Sequence, residues 1–244
     1  MSHNNLVEID ADGQATPELA ETWEVSPDAK KWVFKLRKGI EFHNGKALDS
    51  KDVVASIKYH SKGSGGARVI VDQIKKISAD GKHTVIFKLK EGNADFAFLL
   101  SDLRLVIAPA GTKGKAWQKA IGTGAYVLRE WNGVRVFATR NPNYWKEGRG
   151  HFDEVEMFVI SDQMASSNAL RAGQVDVVQG VDLKTVDLLK QTPGIQVVEV
   201  SGSSHVTFPM RTDKPPFDNN DVRLALKHAI DREALIKSIK HGHA

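Results

Sequence analysis

"PELAETWEVSPDAKKWVFKLRKGIEFHNGKALDSKDVVASI", residues 17–57, carries a strand pair and a helix in one reading. "ETWEVS" and "KKWVFKL" form two strands around the Pro27-Asp28 turn. Ile40 and Phe42 read as further strand pieces, set off by Lys38-Gly39. Asp49 is placed to cap a helix, with Asp52 three residues on as the capping-box acid and Val53, Val54 and Ile57 as its buried stripe. Wedged between strand and helix is "FHNGKAL", where His43, Asn44 and Gly45 sit together. A histidine acting as general base would want a carboxylate or nucleophile in reach, and Asp49 is one candidate. The turn explains the same residues with less: Asn-Gly tolerates positive φ, and the imidazole can bond backbone groups.

On either side the chain continues in the same vein. "NNLVEIDADGQ" gives a strand and a turn at Asp10–Gly13, "KGSGGAR" (62–68) a surface loop, and "HTVIFKLK" (83–90) a strand with one wet face. "GAYVLREWNGVRVFATR" (124–140) is a hairpin around Asn132-Gly133, a pair favoured where both turn residues need positive φ. Then come a strand at 155–160, a helix at 163–172, a helix near 183–190 and a strand at 195–200, an alternation that predicts a mixed α/β layer. Asp218 or Asn219 is expected to cap a last helix whose Val222, Ala225, Leu226, Ala229 and Ile230 face inward.

Composition narrows the function. The 244 residues are 41% hydrophobic and 26% charged, enough for a substantial core. The net charge of +4 is spread over 34 basic and 30 acidic residues. The densest basic run, Lys30 to Lys38, alternates with Trp32, Phe34 and Leu36 and reads as the solvated face of a strand; no nucleic-acid partner is expected. With no cysteine there is no disulfide, thiolate nucleophile or zinc–thiolate site. No run reaches the roughly 18 apolar residues of a membrane span.

A search for catalytic chemistry returns little. "GTKGKAW" (111–117) lacks the hydroxyl that follows a P-loop lysine, since Ala116 stands there. "DADGQATPELAE" (10–21) puts its glycine at the fourth position of a calcium loop rather than the sixth, and Pro17 inside it. "GTGAY" (122–126) leads into a strand, not into the helix of a dinucleotide loop. His241 and His243 near the chain end are read as exposed rather than metal-binding. No catalytic residue, metal or cofactor is expected.

The stretch at 17–57, with "GTGAYVLREW", "RNPNYW", "AGQVDVV" and "KPPFDNNDVRLALKHAIDREALI" (214–236), resembles the family 5 extracellular solute-binding proteins, the peptide, nickel and opine receptors of ABC importers. The blocks run in order along nearly the whole chain; Ala125 departs from the proline common at that position. The resemblance implies a periplasmic-binding-protein-like fold (class II, cluster C type), present in part. It divides the chain into the family's extra domain (1–110), the central part of the first lobe (111–212), and the hinge with the first helix of a second lobe (213–244). Members are about twice as long and carry a leader, so the chain is expected to be an excised piece of a periplasmic receptor.

The implied mechanism is capture without chemistry. Two lobes close over a small solute, an oligopeptide foremost, and the loaded form docks on a membrane permease. Three places are expected to line the cleft. Asp102 and Arg104 offer charges to a ligand terminus or pair with each other at the surface; the turn at Gly124 offers backbone amides beside Tyr126; and on a strand expected at 203–210 His205 and Thr207 share the favoured face, alternation leaving open the one with Val206 and Phe208. The Tyr and Trp of "NPNYW" are expected to pin a turn. Loss of the second lobe would expose apolar surface and invite a homodimer. Rival readings are a hydrolase built on His43 and a structural or interaction module.

Overall fold

Trp32, Phe34 and Leu36 alternate with Lys31, Val33 and Lys35, and this period of two builds strand β4 (Lys31–Leu36) with one face buried and one wet. In the computed structural model, which describes residues 1–62, 65–200 and 206–243, β4 is an inner strand of an antiparallel sheet. Its neighbours are β3 (Ala20–Val25) and β6 (Thr84–Leu89), with β5 (Ile74–Ala79) beyond β6, giving the order β3-β4-β6-β5. A small hairpin, β1 (Val7–Ile9) with β2 (Ala15–Pro17), precedes it. Its turn is closed by the Asp10 carboxylate, which accepts the amides of Asp12 (3.0 Å) and Gln14 (2.8 Å). The Asp10 carboxylate at the head of the calcium-like stretch therefore serves the turn.

Helix α1 (Ser50–His60) buries Val53 and Ile57 in the same cluster as the inner sheet face. Its N-terminus is the expected capping box: the Asp49 side chain accepts the amides of Lys51 and Asp52, and Asp52 Oδ2 accepts the Asp49 amide at 2.9 Å. Phe34 and Phe87 meet edge to face at 5.4 Å between centroids, and Phe87 meets Phe96 at 5.3 Å. Each such buried ring contributes about 1.5–3 kcal/mol by leaving water. Short helices α2 (Gly66–Val71) and α3 (Phe96–Leu99) close the ends of this core.

A second antiparallel sheet follows: β7 (Tyr126–Trp131), β8 (Arg135–Arg140) and β9 (Glu154–Phe158). The β7–β8 turn differs from expectation at one residue. Only Gly133 takes positive φ (94°). Asn132 works through its side chain, Oδ1 accepting the amides of Val134 (3.2 Å) and Arg135 (2.8 Å).

The chain divides into two compact units, Met1–Val159 and Ile160–Ala244. The boundaries expected after residues 110 and 212 fall within them. Across the first, His43 donates to the Gly122 carbonyl (2.8 Å) and Gly124 to the Ser2 carbonyl (3.0 Å).

In the second unit, α4 (Gln163–Arg171), α5 (Val186–Lys190), α6 (Asn220–Ala229) and α7 (Arg232–Ile239) are helical, and no strand occurs among the described residues. The expected strand at 195–200 is unpaired, with Val198 and Val200 exposed. Residues 206–210 also lack a ladder, because a strand needs a partner and the described residues of this unit offer none. The expected last helix is two. Asn219 caps α6, and Asp231 caps α7 by accepting the Ala234 amide at 2.9 Å. The stripe on α6 is not buried: Ala225, Leu226 and Ala229 are exposed, Val222 and Ile230 only partly covered. Among the described residues, no helix is long and apolar enough to cross a membrane.

Candidate functional site

The residues of "FHNG", "GTGAY", "RNPNYW" and the chain start meet at one junction in the first unit. His43 donates its amide to the Gly122 carbonyl (2.8 Å) and Nε2 to the Gly124 carbonyl (2.9 Å). Because a carbonyl can only accept, Nε2 carries the proton; Nδ1 is left to accept the Gly122 amide at 3.5 Å. Both ring nitrogens are thus committed to backbone. His43 has none free to act as a general base, and the hydrolase reading loses its histidine.

The Gly124 carbonyl takes a second bond from Asn141 Nδ2 (3.1 Å), while the Asn141 amide donates to Ala125 (2.8 Å). The Asn141 side chain also closes the "NPNYW" turn by accepting the Asn143 amide at 3.0 Å. Gly124 in turn donates to the Ser2 carbonyl (3.0 Å), and Tyr126 to Met1 (3.4 Å). The Gly124 amide is therefore occupied, and the turn does not hold it out to a ligand. A Cβ on Gly124 would lie 2.2 Å from the Met1 carbonyl oxygen and 2.6 Å from the Ser2 carbonyl carbon, both backbone atoms. Gly124→Ala is expected to lower stability by about 1–3 kcal/mol, read as a shift of the urea midpoint at unchanged slope. A shift of zero would contradict the close packing.

One side chain links this junction to the rest of the unit. Asn4 accepts from Thr123 Oγ1 (2.8 Å) and donates to Glu18 Oε1 (2.5 Å) and to Tyr144 Oη (3.4 Å). Burial pushes the Glu18 carboxyl up, against the opposing pull of Asn4 and of Lys146, whose Nζ lies 3.8 Å away and also pairs with Glu8. Trp145 is covered by the Arg37 guanidinium, 5.3 Å from its ring centre. Asn4 was not singled out in the sequence, since an asparagine before a strand carries no local signal.

Asp102 and Arg104 do come together, but with each other. Oδ1 of Asp102 accepts the Arg104 amide (2.9 Å) and Nε (2.8 Å), and Oδ2 accepts Nη2 at 2.6 Å. The guanidinium holds the Asp102 carboxyl below its usual range, and the pair lies at the surface. Tyr126 is half-buried, its hydroxyl accepting the Phe152 amide at 3.2 Å. Thr207 is exposed, and His205 lies outside the described residues.

Near the junction sits an aromatic group missed in the sequence. Trp117 stacks on Tyr59 (5.0 Å) and lies beside His60 (5.3 Å) and His3 (6.0 Å); Tyr59 and Trp117 also line a cavity of about 220 Å³. Burial, then the neighbouring His43, the amino terminus and His60, lower His3 to about 4. The unfolded chain takes up this proton near pH 6.5 and the folded chain does not. The stability contributed is complete above pH 6.5 and is lost as pH falls towards 4, by about 2–3 kcal/mol. Glu18, raised by burial, acts in the opposite sense. Chemical denaturation at pH 7 and pH 4.5 should show the loss, and His3→Gln should flatten it; an equal loss in both proteins would exclude His3 as its source.

The profile of the bacterial extracellular solute-binding proteins, family 5 (Middle) matches residues 14–244. The chain belongs to this family. Among family 5 relatives, it is 27% identical to heme-binding protein A of Haemophilus influenzae and 28% identical to the dipeptide-binding protein of Escherichia coli. Each alignment covers 98% of this chain, and 49% and 50% of the relative. The solved structure of AgaA from Agrobacterium tumefaciens R10 (A.tumefacien), in complex with agropinic acid, matches with TM-score 0.84 and 30% identity, over 98% of this chain and 50% of that one. The mixed α/β fold is that of the periplasmic binding proteins, present in part. The chain spans about half the length of the curated relatives it matches. The relatives named here are binding proteins, not enzymes.

Proposed function

We propose that this chain is part of the substrate-binding component of an ABC importer, which takes up a peptide or related small solute in the periplasm and hands it to a membrane permease. The observation that carries this reading is the family match over residues 14–244, and three of its blocks, those holding His43, Gly124 and Asn141, meet at the Gly122–Tyr126 junction of the first unit. It is supported by relatives named for dipeptide and heme binding and by a structural neighbour holding agropinic acid.

The part present would supply one wall of the ligand site. Tyr126 and Thr207, with His205, are the side chains proposed to line it. Asp102 and Arg104 would meet a charged ligand terminus only by opening their mutual ion pair. Gly124 supports the site by holding the turn. The proposed division remains an extra domain at 1–110, first-lobe residues at 111–212 and a hinge segment at 213–244. Leu224, Leu226, Leu235, Ile236 and Ile239 are exposed, which favours self-association of the chain as given; light scattering showing one monomeric mass at all concentrations would refute that part.

The test is a thermal-shift screen of the full-length receptor against peptides, opines and haem. A rise in Tm that grows with ligand concentration supports the proposal. The absence of any shift across all three classes overturns it. Native mass spectrometry of the present chain, compared with its denatured mass, shows whether one wall retains a ligand.

A further inference from the structure

Like charges directly opposite one another weaken a sheet, yet three lysines stand in one row across β4, β6 and β5. Lys31 is in register with Lys88, and Lys88 with Lys76. Such cross-strand neighbours sit about 5 Å apart at Cβ. All three are exposed, and none belongs to an ion pair among the described residues. Lys35, four residues along β4 on the same face, reaches only the Thr84 hydroxyl among the described residues, at 3.2 Å. Glu24, opposite Val33, is the one carboxylate among the register-paired residues of this outer face.

The rest of the face is flat. Val33 and Ile86 are in register and half-buried, flanked by Thr22, Thr84 and Ser78. The cavities beside Trp117 and Trp131 lie elsewhere. Neither of those cavities opens on this face, and no arginine among its register-paired residues offers the planar fork that recognises a single phosphate or carboxylate. The face presents a density of compact positive charge over a broad surface, held at some loss of sheet stability.

We infer that this face docks on an anionic phospholipid surface. A bilayer offers many phosphates at once without demanding a fixed register, which suits point-charge lysines on a flat sheet better than it suits a specific pair. Each lysine near such a surface strengthens binding roughly fivefold, so the row of three contributes about 100-fold. The interaction is screened as the Debye length shrinks with salt. This inference does not depend on the identity of the transported solute.

The test is flotation of the chain with vesicles of phosphatidylglycerol and phosphatidylcholine in equal parts, against phosphatidylcholine alone. Binding is expected only to the anionic vesicles, and high salt should release it. The Lys31→Gln/Lys76→Gln/Lys88→Gln variant should bind about 100-fold more weakly. The charge-matched Lys113→Gln/Lys115→Gln/Lys119→Gln variant should keep most of its affinity. Equal losses in the two variants, no binding to anionic vesicles, or binding to DNA but not vesicles would each overturn the assignment. A second measurement stands apart from lipid: Lys88→Gln should raise Tm by ~1–3 °C at low salt, the gap closing at high salt. No rise would remove the repulsive row on which the inference rests.

Discussion

Asp52→Ala is expected to destabilise the first unit by about 4 kcal/mol, because it strips a fully buried carboxylate from three donors at once. Oδ1 accepts the Ala110 amide at 2.7 Å, Oδ2 accepts the Asp49 amide at 2.9 Å, and Lys46 Nζ approaches both oxygens, the nearer at 2.6 Å. Lys46 is 40% exposed and can turn to water, so its charge is not stranded. The two amides have no such escape, and an orphaned buried donor costs about 1–3 kcal/mol. Losing the Asp49 bond also undoes half of the capping box that starts α1. Asp52→Asn keeps an acceptor oxygen and should lose about half as much. Urea unfolding followed by circular dichroism measures both, and a loss below about 1 kcal/mol for the alanine variant would contradict this account.

Phe34→Ala is expected to be comparably severe, again about 4 kcal/mol. The ring is fully buried, and three other aromatic rings, Phe87, Trp23 and Trp32, lie within 6.1 Å between centroids. Large rigid neighbours on paired strands cannot collapse into the space, so the cavity persists and adds to the lost transfer energy. Phe34→Leu fills most of the volume and should lose only about 1–2 kcal/mol. The check is the difference between the two variants: equal losses would mean that the site relaxes, contrary to the packing described.

Period and capping made the first unit legible. The alternation of Trp32, Phe34 and Leu36 fixed which face of β4 is buried, and Asp49 with Asp52 fixed where α1 begins, because both signals are local and repeated. The "NPNYW" turn was legible for the same reason, since Asn141 closes it over two residues. The second unit was less so. Apolar alternation at 195–200 and 206–210 states that a segment could be a strand, but a ladder depends on a partner that a single segment does not encode. The α6 stripe likewise marks a face without saying what covers it. Of the candidate site, Gly124 and Tyr126 lie at a real junction, where the Gly124 amide and carbonyl are both taken and the Tyr126 hydroxyl accepts the Phe152 amide. Asp102 and Arg104, two opposite charges two residues apart, could be read either as ligand contacts or as a surface pair, and the structure pairs them. Asn4 and Trp117 escaped notice because their partners lie far along the chain.

The junction around Gly124 is tied largely through carbonyl oxygens, those of Met1, Ser2, Gly122, Gly124 and Ala125. Every residue type carries that oxygen, so positions such as Ser2 and Ala125 can change identity without breaking a bond. The donors His43 and Asn141, and the glycines whose missing side chains allow the close approach, have no such freedom. In a saturation scan this region would read as isolated intolerant positions scattered among permissive ones. A clustering method that looks for contiguous constraint would pass over it, although it joins the most distant parts of the unit.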